Sequence, residues 1–264
     1  MAITGAQQRI VTTLEARWKA ARPVERVSYA VGELLVLAGV FHFGVFLVDG
    51  GAWEGPVSWR KPTTFGLSFG LTLISVAWVT SYLRIPERAR AWLLGVFAVD
   101  CVVEVGGITL QAWRGVPSHF NRETAFNSAV ATVLAVGGAV LVATLVAFAV
   151  RAFRGNPELP ASMQLAQRAG WATMLVALGS GAAMIARGVV ATNTDGQQAG
   201  YDVGGFLKLV HGVSMHGVLV LPVLAWVLGR LTWSEERRVR VVAVATGVYG
   251  VAIVGALVVS LVRA

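Results

Sequence analysis

Asp100 and Glu104 stand four residues apart in an otherwise apolar run, a spacing that places both carboxylates on one face of a helix. Two such groups about 6 Å apart in a medium of low dielectric compete for ionisation. One is expected to keep its proton and serve as a general acid beside its charged neighbour. The plainer alternative is that both hydrogen-bond to adjacent helices and pin them. His211 and His216 form a second pair, five residues and therefore about 140° apart around a straight helix. They cannot ligate one metal from a regular helix, so a metal or haem centre would need His42 from the first apolar stretch together with His211 or His216. Neither His-x-x-x-His nor His-Glu-x-x-His occurs, and the leading expectation is a site without a cofactor.

The densest polar motif spans residues 111–121, where Gln111, Trp113, Arg114, His119 and Asn121 surround a Gly115–Pro117 turn. Arginine suits a planar anionic partner and histidine can shuttle a proton near neutral pH. Lys61 and Lys208 stand at the ends of two other apolar stretches. The expected catalytic set is Asp100, Glu104, His119, His211 and His216. The expected substrate contacts are His42, Lys61, Gln111, Trp113, Arg114, Asn121 and Lys208.

The elements that position these residues are seven apolar stretches, roughly 27–48, 62–83, 89–113, 124–150, 168–192, 205–230 and 239–262. Crossing about 30 Å of hydrocarbon takes about 20 apolar residues at 1.5 Å each. With 264 residues, 56% hydrophobic and only 14% charged, the chain reads as an all-α polytopic membrane protein, a seven-helix bundle over 27–264. The net charge of +8 is dispersed over loops between stretches, which reads as topology rather than a nucleic-acid-binding surface. Fifteen of the 22 Lys and Arg residues lie in the N-terminal segment and in the second-to-third, fourth-to-fifth and sixth-to-seventh connections. The positive-inside rule then puts the N-terminus in the cytoplasm and the C-terminus outside, as for a bacterial inner-membrane protein. Residues 1–26 carry Ile10, Val11, Leu14 and Trp18 on one helical face with cations opposite, the pattern of a juxtamembrane amphipathic helix. The lone cysteine, Cys101, excludes an intrachain disulfide.

Lys61-Pro62, the run Gln111, Arg114, Gly115, Ser118, His119, Phe120 and Asn121, and the pair His211 and His216 resemble a widespread group of uncharacterised bacterial seven-span membrane proteins. The similarity runs from about residue 41 to Pro222. It implies a shared architecture and carries no activity. A looser analogy is to small seven-span terpene cyclases, which protonate an isoprenoid with buried acids; the chain is similar in size, span count and carboxylates.

The expected function is an integral-membrane enzyme doing acid–base chemistry on a hydrophobic lipid or isoprenoid substrate. Its carboxylates and imidazoles would meet in a hollow opening away from the basic loops. The alternatives are a haem- or metal-bearing redox protein, and a transporter or proton pathway through Glu33, Asp100 and His216.

Overall fold

The computed structural model describes residues 18–263. Proline and hydroxyl side chains set many of the helix starts. Pro23 opens α1 (Pro23–Asp49), and α2 (Arg60–Thr80) follows Trp59. Pro86 precedes α3 (Glu87–Trp113), and Thr124 caps α4 (Ala125–Arg154) by accepting from the Asn127 N–H. Pro160 precedes α5 (Ala161–Asp195); a short α6 (Gln197–Val203) and α7 (Lys208–Leu228) come next. Ser234 caps α8 (Glu235–Val262) by accepting from the Arg237 N–H.

All but α6 are long and apolar enough to cross a membrane, seven among the described residues. Even the shortest, at 21 residues, covers about 30 Å. The chain is therefore an all-α, seven-span membrane bundle, as its hydropathy predicts. Several boundaries differ. Helix α5 starts at Ala161 rather than near 168, because Pro160 fixes its entry and the polar Gln164 and Gln167 fit the first turns. The connection expected to be an irregular turn before α7 contains α6, which lies back on α5 where Gly200 and Gly204 approach Gly188. Ile10, Val11 and Leu14 lie outside the described residues, and α1 begins at Pro23 rather than near 27.

Small residues close the tightest seam. A Cβ at Gly66 would lie 2.7 Å from the Gly39 Cα, and one at Gly70 would lie 2.5 Å from the Gly32 carbonyl oxygen. Helices α1 and α2 thus meet backbone to backbone, the contact that holds helices together in lipid. The core between α2, α3, α4 and α5 is filled by Leu73, Val76, Leu94, Phe97, Phe148 and Trp171. Helix α8 packs against α5 and α7.

A polar lock holds the end of the bundle where α2 stops and α3 starts, called here the Arg90 end. Buried Arg90 donates to the carbonyls of Thr80 (2.5 Å) and Leu83 (2.8 Å), satisfying the C-terminal turn of α2, and lies 3.8 Å from buried Glu25. Arg22 joins Glu25 at 2.9 Å and Glu87 at 3.1 Å. The opposite end, carrying Trp59, His119 and Tyr201, is called the Trp59 end.

Candidate active site

Asp100 is the central residue of α3, and both it and Glu104 are buried. They point at α4 at one place, Gly137. A Cβ there would lie 2.5 Å from Glu104 Oε1 and 2.9 Å from Asp100 Oδ1, so only glycine leaves room for both. Asp100 Oδ2 and Glu104 Oε1 are buried without a hydrogen-bond partner. Asp100 forms part of the wall of a groove of about 640 Å³ between α3 and α4, with Trp92, Val99, Val103, Val136 and Val140 among its neighbours. Among the described residues no Lys, Arg or His contributes to that wall. The groove opens on the lipid-facing surface, where Val99 is 65% and Val136 58% exposed. Its α3 residues run from Ala91 to Val103, so it extends from mid-bundle toward the Arg90 end.

The other expected site residues gather elsewhere. His42 is buried at the Trp59 end, where its Nδ1–H donates to the Ala38 carbonyl (2.6 Å) and its Nε2 accepts from the Trp113 indole N–H (3.1 Å). Trp59 stacks on the same imidazole, with ring centroids 6.2 Å apart. Both ring nitrogens of His42 are thus engaged within the fold. Gln111 and Arg114 are joined through a residue the sequence reading passed over, Asn127: Gln111 Nε2 donates to its Oδ1 (3.2 Å), as does Arg114 Nη1 (2.7 Å). Arg114 Nη1 also donates to Gln111 Oε1 at 2.5 Å, and its guanidinium lies 4.5 Å from the centre of the Phe126 ring. Buried Asn121 accepts from the Glu123 N–H and donates to the Pro117 carbonyl. This motif, expected to touch substrate, locks the turn between α3 and α4. Phe120 sits there at φ 59, a left-handed conformation held by Gln197, which donates to its carbonyl (2.8 Å).

His119 lies beside Phe65 (5.9 Å between ring centroids) and bonds Ser118 through Nδ1 (2.9 Å). Burial, reinforced by the nearby Lys61 ammonium, pushes its pKa down to about 4, so it is neutral at pH 7. Lys61 donates to the Pro56 carbonyl (2.8 Å). Lys61 and Lys208 flank the Tyr201 ring at 5.7 and 5.1 Å, while Arg60 donates to the Tyr201 hydroxyl (2.6 Å) and pairs with Glu54 (3.1 Å). The Tyr201 hydroxyl in turn donates to Glu54.

Among the described residues no imidazole lines the groove that holds Asp100, so it is not the hollow expected to unite carboxylates and imidazoles. Asp100 lies at mid-bundle in the wall of the α3/α4 groove, with Glu104 one turn beyond it toward the Trp59 end; His42, His119 and His211 sit at the Trp59 end. His211 donates through Nδ1 to the Ala177 carbonyl of α5 (2.8 Å). Since His211 faces α5, His216, about 140° further round α7, faces outward and is exposed. Glu33 is exposed on α1 as well, so Glu33, Asp100 and His216 do not converge on one path. Among the described residues, no three His, Cys, Asp or Glu side chains are grouped to hold a metal ion.

Fold and site together define a seven-span membrane protein with an unpaired carboxyl pair beside a lipid-facing groove. Comparison with protein-family models, curated proteins and solved structures finds no significant match.

Proposed function

We propose that the protein is an integral-membrane enzyme in which Asp100 and Glu104 carry a proton to and from an apolar, unsaturated substrate that enters sideways from the bilayer. The observation that carries this reading is a pair of buried carboxyls, each with an oxygen lacking a partner among the described residues, of which Asp100 lines a valine-walled groove open to lipid and Glu104 stands one turn away on the same face of α3. Helix glue would be hydrogen-bonded, since an unsatisfied polar group in hydrocarbon costs several kcal/mol, roughly. A carboxyl kept unpaired there is free to react.

The chemistry balances within the pair. An O–H bond of one carboxyl breaks as a C–H bond forms at a carbon–carbon double bond, whose π electrons supply the new bond. The adjacent carbon becomes cationic within the groove. The neighbouring carboxylate then takes a proton from a flanking carbon, and the double bond re-forms elsewhere. The net change is isomerisation or ring closure with no oxidant or reductant consumed, in keeping with the terpene-cyclase analogy. The histidines have no part in this cycle. The concentration of Lys and Arg at the Arg90 end supports placing that end in the cytoplasm of a bacterial cell.

The test is comparative lipid analysis of membranes holding the wild-type chain, Asp100→Asn or Glu104→Gln. A product of altered double-bond position or ring count should accumulate with the wild type. Its level should fall at least about 100-fold in each variant. Equal product in both variants discards the assignment.

A further inference from the structure

Two cavities share one face of α4. Beyond the carboxylate groove, at the Arg90 end, a second cavity of about 590 Å³ lies between the α2–α3 turn and the end of α4. Its wall includes Arg84, Arg151 and Arg154, with Pro86, Gly155 and Pro157, and no acidic side chain among the described residues. None of the three guanidinium groups has a hydrogen bond or ion pair among the described residues. At 100° per residue, Val133, Val140, Ala147, Arg151 and Arg154 fall within about 60° of one another around α4. Val133 and Val140 line the groove, and the two arginines line the second cavity. Gly137, where the carboxyls point, is about 21 Å along α4 from Arg151.

We propose that the two cavities form one site for a lipid whose phosphate headgroup is held by Arg84, Arg151 and Arg154 and whose apolar chain runs along the α3/α4 groove to Asp100. Three unpaired arginines suit a phosphate, which accepts several charge-assisted hydrogen bonds in the planar geometry guanidinium offers. Basic pockets between spans bind lipid headgroups in this way. The register is that of an ordinary leaflet lipid. Hydrocarbon half a bilayer deep is about 15 Å, so a headgroup at the helix ends leaves its chain at the central residue of α3. This inference rests on the proposed acid–base role of Asp100 and names the substrate class for it, an unsaturated long-chain phosphate.

The test uses the full chain in a neutral detergent with hexadecyl phosphate as probe, and reads how fast dicyclohexylcarbodiimide, an apolar carboxyl reagent, modifies Asp100. Hexadecyl phosphate should slow modification saturably. Hexadecanol should need about ten times the concentration, and inorganic phosphate should give no protection. Arg151→Gln and Arg154→Gln should each raise the half-protecting concentration about tenfold. Arg84→Gln, in an exposed turn, should do the same, and thermal unfolding of all three variants checks that they fold. Equal protection by hexadecanol, protection unaltered by the arginine variants, or phosphate binding to the arginines without protection by hexadecyl phosphate overturns the proposal. Because the readout is protection, a failure of turnover in the lipid analysis leaves this result standing, and the converse holds.

Discussion

At the Trp59 end many polar side chains answer one another: His42 with Trp113, Arg114 with Gln111 and Asn127, Arg60 with Tyr201 and Glu54, while Ser58 Oγ, Arg60 Nε and Thr192 Oγ1 stay without a partner among the described residues. In and beside the α3/α4 groove and in the cavity beyond it, Asp100, Glu104, Arg84, Arg151 and Arg154 keep polar groups unpaired among the described residues. The first region has the greater variety of chemical groups, and the second has the groups still available. Buried Gln167 Oε1, Trp171 Nε1 and Ser214 Oγ also lack partners among the described residues, so what sets Asp100 apart is that its carboxyl lines a groove open to lipid.

The largest effect separates the two regions by kind. Asp100→Asn and Glu104→Gln remove acid function, about 100-fold or more in product, yet break no hydrogen bond made by Asp100 Oδ2 or Glu104 Oε1. Their thermal unfolding temperatures should match or exceed the wild type's; a marked fall would mean that the carboxyls are structural after all. Arg114→Gln should do the reverse. It leaves the Gln111 and Asn127 amide oxygens short of a donor, costing about 1–3 kcal/mol, measured as a lower unfolding temperature in detergent, with product formation retained per folded molecule.

A smaller effect is expected from Trp113→Phe, which strands the buried His42 Nε2 at about 1 kcal/mol. The variant should gain affinity for Ni²⁺ or Zn²⁺ if the indole N–H is what occupies that lone pair, and unchanged affinity would show that it is not. His119 gives the smallest and most specific signal. Its pKa falls from 6.5 unfolded to about 4 folded, so between these values the unfolded chain binds more protons. Stability should therefore decline as pH drops from about 6.5 to 4, and His119→Gln should flatten that part of the profile. A profile unaltered by the substitution would remove His119 as the cause.

Hydropathy alone located the seven spans, because a crossing helix must be apolar along its whole length. The sharing of one face by Asp100 and Glu104 was equally legible, since it depends only on helical pitch. What faces them was not: Gly137 looks like any packing glycine until α3 and α4 are docked. The histidines misled for a related reason. Spacing gives the angle between His211 and His216 but not which of them faces α5. Asn127 and Glu25 were overlooked because each sits near a helix end as an ordinary capping or interfacial residue. Their partners, Arg114 and Arg90, come from a neighbouring helix. Arg84, Arg151 and Arg154 were legible only as topology, since a count of charges carries no information about a shared cavity.

The central claim is that Asp100 meets the lipid phase as a reactive, unpaired carboxyl. Peptide mass spectrometry of the purified chain after brief treatment with dicyclohexylcarbodiimide measures that directly. Modification of Asp100, abolished in Asp100→Asn and persisting in Glu33→Gln, is the predicted result. Modification confined to the exposed Glu33, with Asp100 untouched, would contradict it.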